Sequence, residues 1–264
     1  MGIIERHNVN VTGNGAKTIV FAHGFGCDQT MWQFVAPAFV RDYRVVLFDL
    51  MGAGQSDLSD YDFDAYSDLL RHGQDIVDIC DALDLEAPVV IGHSVSAITS
   101  GLAAAANPGR FSRLAMVSPS PCFMNDGAYH GGFDREDLHG VVEFMQENYL
   151  GWAQQLAPAI AGQSPDEPAA QMLTQSFCRT DPNIARHFGQ VTFLSDRRAD
   201  MHKIDTPTLI VQSREDGIAP VTVGEWMQAE MPHATLKVID AIGHCPHMTS
   251  PQETAAVIRD YLDG

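Results

Sequence analysis

The sequence predicts an α/β protein: a mostly parallel central sheet with helices on both faces, interrupted by a four-helix insertion. Three observations carry that prediction. Short apolar runs alternate with helix-period segments through the first half of the chain, the rhythm of parallel strands joined by crossover helices. That rhythm stops between residues 125 and 196, where β-type runs give way to helical spacing broken by prolines. It then resumes with two more strands and a closing helix.

Taken in order, the first predicted strand covers residues 18–22 and ends at His23-Gly24-Phe25-Gly26. A helix is expected over 30–39. The second strand, 44–49, runs into the turn-rich Met51-Gly52-Ala53-Gly54-Gln55-Ser56-Asp57. Residues 67–83 have helical spacing, with Leu70, Ile76, Val77, Cys80 and Leu83 on one apolar face. Strand 88–91 leads into Gly92-His93-Ser94-Val95-Ser96 and a helix of small residues over 97–106. Strand 114–117 follows. Helices over 135–149, 151–160, 169–178 and 182–194 make the insertion, separated by Pro165 with Pro168 and by Asp181-Pro182. Asp181 reads as an N-cap with Pro182 at the first helical position. Strands 207–212 and 235–239 and a helix over 253–262 complete the chain. The expected division is a core of residues 1–124 and 197–264 with a helical cap over 125–196.

A chain of 264 residues with 45% hydrophobic and 19% charged residues builds a large packed core rather than a disordered coil. Its net charge is −18, from 16 basic and 34 acidic residues. Such a surface repels phosphate backbones and anionic lipids, which argues against nucleic-acid and membrane-surface partners. The five cysteines (Cys27, Cys80, Cys122, Cys178 and Cys245) form no CxxC pair and are odd in number, so reduced thiols are expected. The start carries no charged-then-apolar leader pattern. No segment reaches the roughly 18–20 apolar residues of a membrane span. Cytoplasmic residence is the expectation.

The segment Gly92-His93-Ser94-Val95-Ser96 places a serine between small residues on a sharp strand-to-helix turn, the arrangement of a nucleophile elbow. A serine hydroxyl is a weak nucleophile at neutral pH and needs a base, and the base needs an orienting carboxylate. On such folds the chain order is serine, acid, histidine. Asp216 follows the strand over 207–212, where open α/β sheets place their sites. His244, in Ala241-Ile242-Gly243-His244-Cys245-Pro246-His247, follows the last strand. Glu215 competes with Asp216, but the shorter side chain and its place four residues before Pro220 favour Asp216. His247 competes with His244, and with Pro246 before it reads as a supporting residue. His93 points away from its neighbour across a sharp turn and reads as packed or hydrogen-bonded.

An acyl-transfer transition state also needs preorganised N–H donors for its oxyanion. The amide of Val95, directly after the nucleophile, supplies one, and that of Phe25, in the loop after the first buried strand, supplies the other. The Met51–Asp57 turn lacks the GxxxxGK[ST] ending of a phosphate loop and reads as structural. Close spacing of His244, Cys245 and His247 invites a zinc reading, but no second cluster supplies further ligands; no metal and no cofactor are expected. Cys27 and Cys245 read as small buried hydrophobes at the edge of the pocket. The insertion carries Phe123, Phe133, Tyr149, Trp152, Leu156, Phe188 and Phe193. A cap over a sheet edge turns some of these toward the site to make a dry, apolar cavity, with Phe133, Trp152 and Phe193 as candidates.

Three stretches resemble the RsbQ-type bacterial hydrolases, the family that also holds the plant karrikin and strigolactone receptors: His23-Gly24-Phe25-Gly26-Cys27-Asp28-Gln29, Gly92-His93-Ser94-Val95-Ser96-Ala97, and Gly243-His244-Cys245-Pro246-His247-Met248. The likeness extends over nearly the whole chain, including Ser118-Pro119-Ser120-Pro121-Cys122 and Gly131-Gly132-Phe133. It implies an α/β-hydrolase core, a V-shaped four-helix lid and a Ser94–His244–Asp216 triad. It also implies that Ser96, where the generic motif has glycine, is a small residue letting the elbow helix approach the sheet. Relatives that share the fold but use an aspartate nucleophile are set apart by Ser94. Two functions follow as expectations. One is a serine hydrolase of a small apolar ester or lactone. The other is a slow hydrolase that senses a small molecule and signals to a regulatory protein partner. A degenerate, non-catalytic scaffold ranks last, because the triad and the oxyanion loop are all present.

Overall fold

The computed structural model of the protein describes residues 2–264. Among them the strands are β1 Asn10–Thr12, β2 Lys17–Ala22, β3 Tyr43–Leu47, β4 Val89–His93, β5 Arg113–Val117, β6 Thr208–Glu215 and β7 Ala234–Ile242. They form one sheet in the order β1-β3-β2-β4-β5-β6-β7. The strand β1 pairs antiparallel with β3, and the other pairings are parallel. The helices are α1 Ile3–Arg6, α2 Leu69–Ala82, α3 Val95–Ala106, α4 Arg135–Glu147, α5 Tyr149–Ala161, α6 Pro168–Arg179, α7 Pro182–Phe193, α8 Arg198–Met201, α9 Val221–Glu230, α10 Pro246–Thr249 and α11 Pro251–Asp263.

The central strands are buried on both faces, which is why they read as continuous apolar runs rather than alternating ones. Along β2, Ile19 and Phe21 pack into one layer with Trp32, Phe39 and Ile258 of α11. Val20 and Ala22 pack into the opposite layer with Ile76 of α2 and Val95 and Ile98 of α3. Helices α4 to α7 lie in the chain between β5 and β6, as the loss of β pattern predicts. Asn148 alone separates α4 from α5, and its side chain accepts from the Gly151 amide to start the second helix. Asp181 caps α7 by accepting from the amides of Asn183 and Ile184, with Pro182 first in the helix.

Three details differ from the sequence reading. Residues 30–39 form two 3-10 turns, Gln29–Trp32 and Ala36–Ala38, not an α-helix. Pro37 has no amide to donate and crowds the preceding turn. On α2, Leu70 is exposed, and Leu69 and Ile79 join Ile76 and Cys80 on the buried face. Strand β1 has no apolar signature in the sequence, because all three of its residues are exposed at a sheet edge.

Candidate active site

The elbow begins where β4 ends. Ser94 has φ 54 and ψ −120, a left-handed conformation that an L-residue holds only when its surroundings over-determine it. The Ser94 amide donates to the Val117 carbonyl of β5 at 2.8 Å, while its own carbonyl accepts from Ala97 to open α3. Gly92 has to be glycine, because a Cβ there would lie 2.5 Å from the Ser96 carbonyl oxygen. The Ser96 hydroxyl donates to the His23 carbonyl. Serine at 96 therefore ties the Ser94 turn to the loop after β2.

Three side chains from separate strand ends meet here. The Ser94 hydroxyl donates to Nε2 of His244 at 2.8 Å. Nδ1–H of His244 donates to Oδ2 of Asp216 at 2.8 Å. Oδ1 of Asp216 accepts from the amides of Ile218 at 2.8 Å and Ala219 at 3.0 Å. A carboxylate held by three donors fixes the imidazole as the Nδ1–H tautomer, with the Nε2 lone pair on the serine. Glu215 is exposed, and its backbone carbonyl accepts from Gly243. His247 is fully buried, with its ring 4.7 Å from Trp32 and 4.3 Å from His93, and neither ring nitrogen has a partner among the described residues.

The backbone of His244 is gripped from two sides. Its amide donates to the Ile160 carbonyl of α5 at 2.7 Å. Its carbonyl accepts from Nε2–H of His93 at 2.8 Å. Burial, with His247 and His244 nearby, drives the His93 imidazole well below its ordinary value, and burial takes His247 down to about 3. Both are neutral supports. Burial likewise pushes the thiols of Cys27 and Cys245 upward, which makes them inert walls rather than nucleophiles.

Val95 is the first residue of α3, where amides have no acceptor inside the helix. Phe25 sits in the loop after β2. Its ring is an aromatic hub, with ring-centre distances of 6.0 Å to Trp152, 5.8 Å to Phe177, 5.7 Å to Phe188 and 5.8 Å to Phe193. The sequence pointed to the amide of Phe25 and missed the ring.

Above Ser94 and His244 lies a narrow cavity of ≈ 30 Å³, room for about two waters. Phe25, Phe123, Leu173, Phe177, Phe193 and Ile218 supply its apolar walls, with Ile160, Cys27, Cys245 and Thr192. Of the three pocket candidates, Phe193 lines it. Trp152 stands one layer back, fully buried and stacked on Phe177 at 5.5 Å. Trp152 packs behind that wall, with its ring against Tyr149, Phe177 and Phe25, as part of the core layer that continues to the sheet. Phe133 lies outside the lining; its amide and carbonyl pair with Phe123 and Asn125. Phe177 and Leu173 share helical spacing on α6, a signal the sequence held but that core packing would give equally. A larger open groove of ≈ 880 Å³, lined by Asn8, Asp28, Asp49 and Arg179 among others, contains none of the triad. Among the described residues no group of three or more His, Cys, Asp or Glu side chains could hold a metal ion. No helix among them is long and apolar enough to cross a membrane.

The sequence profile of the alpha/beta hydrolase family matches residues 19–257. The chain belongs to the alpha/beta hydrolase family. Within it, the chain is 37% identical over 264 residues to the karrikin insensitive 2 receptor CA of Petunia hybrida, covering 99% of this chain and 98% of that one. It is 37% identical over 259 residues to the strigolactone esterase RMS3 of Pisum sativum, covering 96% and 95%. A solved hydrolase from Oleispira antarctica superposes with a TM-score of 0.95 at 42% identity, covering 99% and 96%. These relatives bear out the resemblance read from the three motif stretches. In this hydrolase the elbow, the acid loop and the histidine loop all stand at C-terminal ends of parallel strands, where the fold gathers its chemistry.

Proposed function

We propose that this protein is a cytoplasmic serine hydrolase that cleaves a small apolar ester or lactone. The observation that carries the reading is the unbroken hydrogen-bond chain Ser94–His244–Asp216 on a strained elbow beneath an apolar cavity. Ser94 Oγ attacks the acyl carbon as His244 Nε2 takes its proton. Asp216 holds Nδ1–H and stabilises the imidazolium that forms. The amides of Phe25 and Val95 receive the oxyanion. His244 then protonates the leaving alcohol, and water, deprotonated by the same imidazole, releases the acid from Ser94. No cofactor enters these steps. Relatives named as a strigolactone esterase and a 3-oxoadipate enol-lactonase support ester and lactone bonds as the target. The acidic surface, with its net charge of −18, supports the absence of nucleic-acid and anionic-membrane partners. The test is Ser94→Ala: turnover of short acyl esters should fall by about 10⁴ or more, and unchanged turnover would assign the chemistry elsewhere.

A second reading has its own support. Several relatives are named receptors, and a cavity of ≈ 30 Å³ is far below the roughly 300–1,000 Å³ of ordinary ligand sites. A cap over residues 125–196 that must move to admit a ligand suits a small-molecule sensor engaging a regulatory protein. Strong ligand-induced thermal shift with slow turnover and a co-purifying protein favours the sensor. Fast turnover with no partner favours the enzyme.

A further inference from the structure

Thr192 is the one threonine of α7 and one of the residues lining the cavity over Ser94. It is 3% exposed, and its hydroxyl has no hydrogen-bond partner among the described residues. That is unusual for a helical threonine in this protein. Thr99 returns its hydroxyl to the carbonyl three residues earlier, and Thr174 and Thr254 to the carbonyl four residues earlier. Each is thereby satisfied within its own helix. Thr192 makes no such bond. A buried hydroxyl without a partner is costly, and valine would fill the same volume with no polar group to satisfy.

The rest of the lining sharpens the contrast. Ser94 and His244 are committed to each other, and His93 is fixed through Nε2 to backbone while its Nδ1 has no partner among the described residues. The thiols of Cys27 and Cys245 are weak hydrogen-bonding groups. The other side chains are aliphatic or aromatic. Thr192 is thus the one strong hydrogen-bonding side chain among the described lining residues that makes no hydrogen bond at all, and its hydroxyl, unlike the acceptor Nδ1 of the anchored His93 ring, can donate to a ligand oxygen. A threonine in a helix has two accessible χ1 rotamers, so its hydroxyl can turn to meet a ligand atom.

We infer that Thr192 is a specificity-determining residue that hydrogen-bonds an oxygen of the substrate remote from the reacting carbonyl. The substrate class narrows accordingly: a compact ester or lactone, apolar over most of its surface, with a second oxygen function such as an ether, ketone or ring oxygen. This inference rests on the hydrolase reading for its kinetic arm but not for its binding arm. A pocket built to bond an oxygen discriminates against the analogue lacking it, because the pocket's own polar group is then left unpaired.

The test uses a matched pair in which one CH₂ is replaced by oxygen, p-nitrophenyl pentanoate and p-nitrophenyl 3-methoxypropanoate. The readout is the ratio of kcat/KM for the ether over the alkyl ester, each divided by its rate with hydroxide. In Thr192→Val that ratio should fall roughly five- to tenfold, the loss of about one hydrogen bond. Thr192→Ser should restore it. Thr192→Ala is the second hydroxyl-free variant and must shift the ratio the same way, with melting curves confirming that each variant folds. In Ser94→Ala protein, calorimetric affinities for the same pair should show the same shift on adding Thr192→Val. That arm reads Thr192 even if wild-type protein cleaves neither ester, an outcome that would fail the hydrolase reading alone. Equal effects on both esters, or none, would overturn the inference.

Discussion

In the proposed mechanism Ser94, Asp216 and His244 each do one thing that the others make useful. Asp216 is the pivot, because its two oxygens are divided between the His244 ring and two backbone amides. An asparagine there keeps Oδ1 on the amides of Ile218 and Ala219 and turns its NH₂ toward Nδ1. The imidazole must then accept at Nδ1 and place its proton on Nε2, where it blocks the serine. Asp216→Asn is therefore expected to lower kcat by about 10³–10⁴, with a melting temperature close to that of the parent. A loss below about tenfold in steady-state kinetics would mean the tautomer is set by another group. At this scale the sequence was highly legible. Ser94, Asp216 and His244 announce themselves by residue type, chain order and position at strand ends. Trp152 and Phe133 lie off the cavity wall for different reasons: an aromatic at helical spacing, such as Trp152, packs behind a wall as readily as it forms one, and Phe133 sits half-buried in an extended bridge before α4.

Elements impose a constraint that no motif records. The C-terminus of α5 meets the His244 loop through two facing glycines. Gly162 has φ +65 and Gly243 φ +89, and a Cβ on Gly243 would lie 2.1 Å from the Ala161 carbonyl oxygen. That close approach lets the His244 amide reach the Ile160 carbonyl, so the insertion helix directly seats the residue proposed as general base. Gly243→Ala must push α5 away or twist the loop. It is expected to destabilise the fold by about 1–3 kcal/mol and to lower kcat by more than the fraction unfolded accounts for. Activity per folded molecule, from kinetics paired with chemical denaturation, separates the two effects. Normal activity per folded molecule would show that α5 does not seat His244. The two glycines could not be read from sequence, since each resembles an ordinary helix stop or turn. Pro37 is visible in the sequence, and it breaks residues 30–39 into two short turns despite the apolar residues around it.

Over the whole molecule, buried histidines make stability depend on pH. Burial holds His23, His72, His93 and His247 below the ordinary imidazole value, His72 at about 4 and His247 at about 3. Unfolded, each titrates near 6.5. Between 6.5 and the folded values the unfolded chain binds more protons. Their stabilising contribution is thus whole above about pH 6.5 and is lost as pH falls toward those lower values. Each histidine contributes a slope of about 1.4 kcal/mol per pH unit within that window. Urea midpoints measured from about pH 7 to 5 should fall steeply, and His247→Phe should flatten the slope by roughly one proton. A pH-independent midpoint would contradict neutral burial. The sheet, its insertion and the overall α/β class were legible at this scale from periodicity alone. Edge strand β1 was not, because an exposed three-residue strand has no burial to write into its sequence.

The proposed role of Ser94 as acyl acceptor is directly measurable. Protein incubated with a fluorophosphonate probe, followed by intact mass and peptide mapping, should gain one adduct on Ser94. Ser94→Ala and heat-unfolded protein should gain none. No adduct on the folded wild-type protein, or labelling at a residue other than Ser94, would contradict the account.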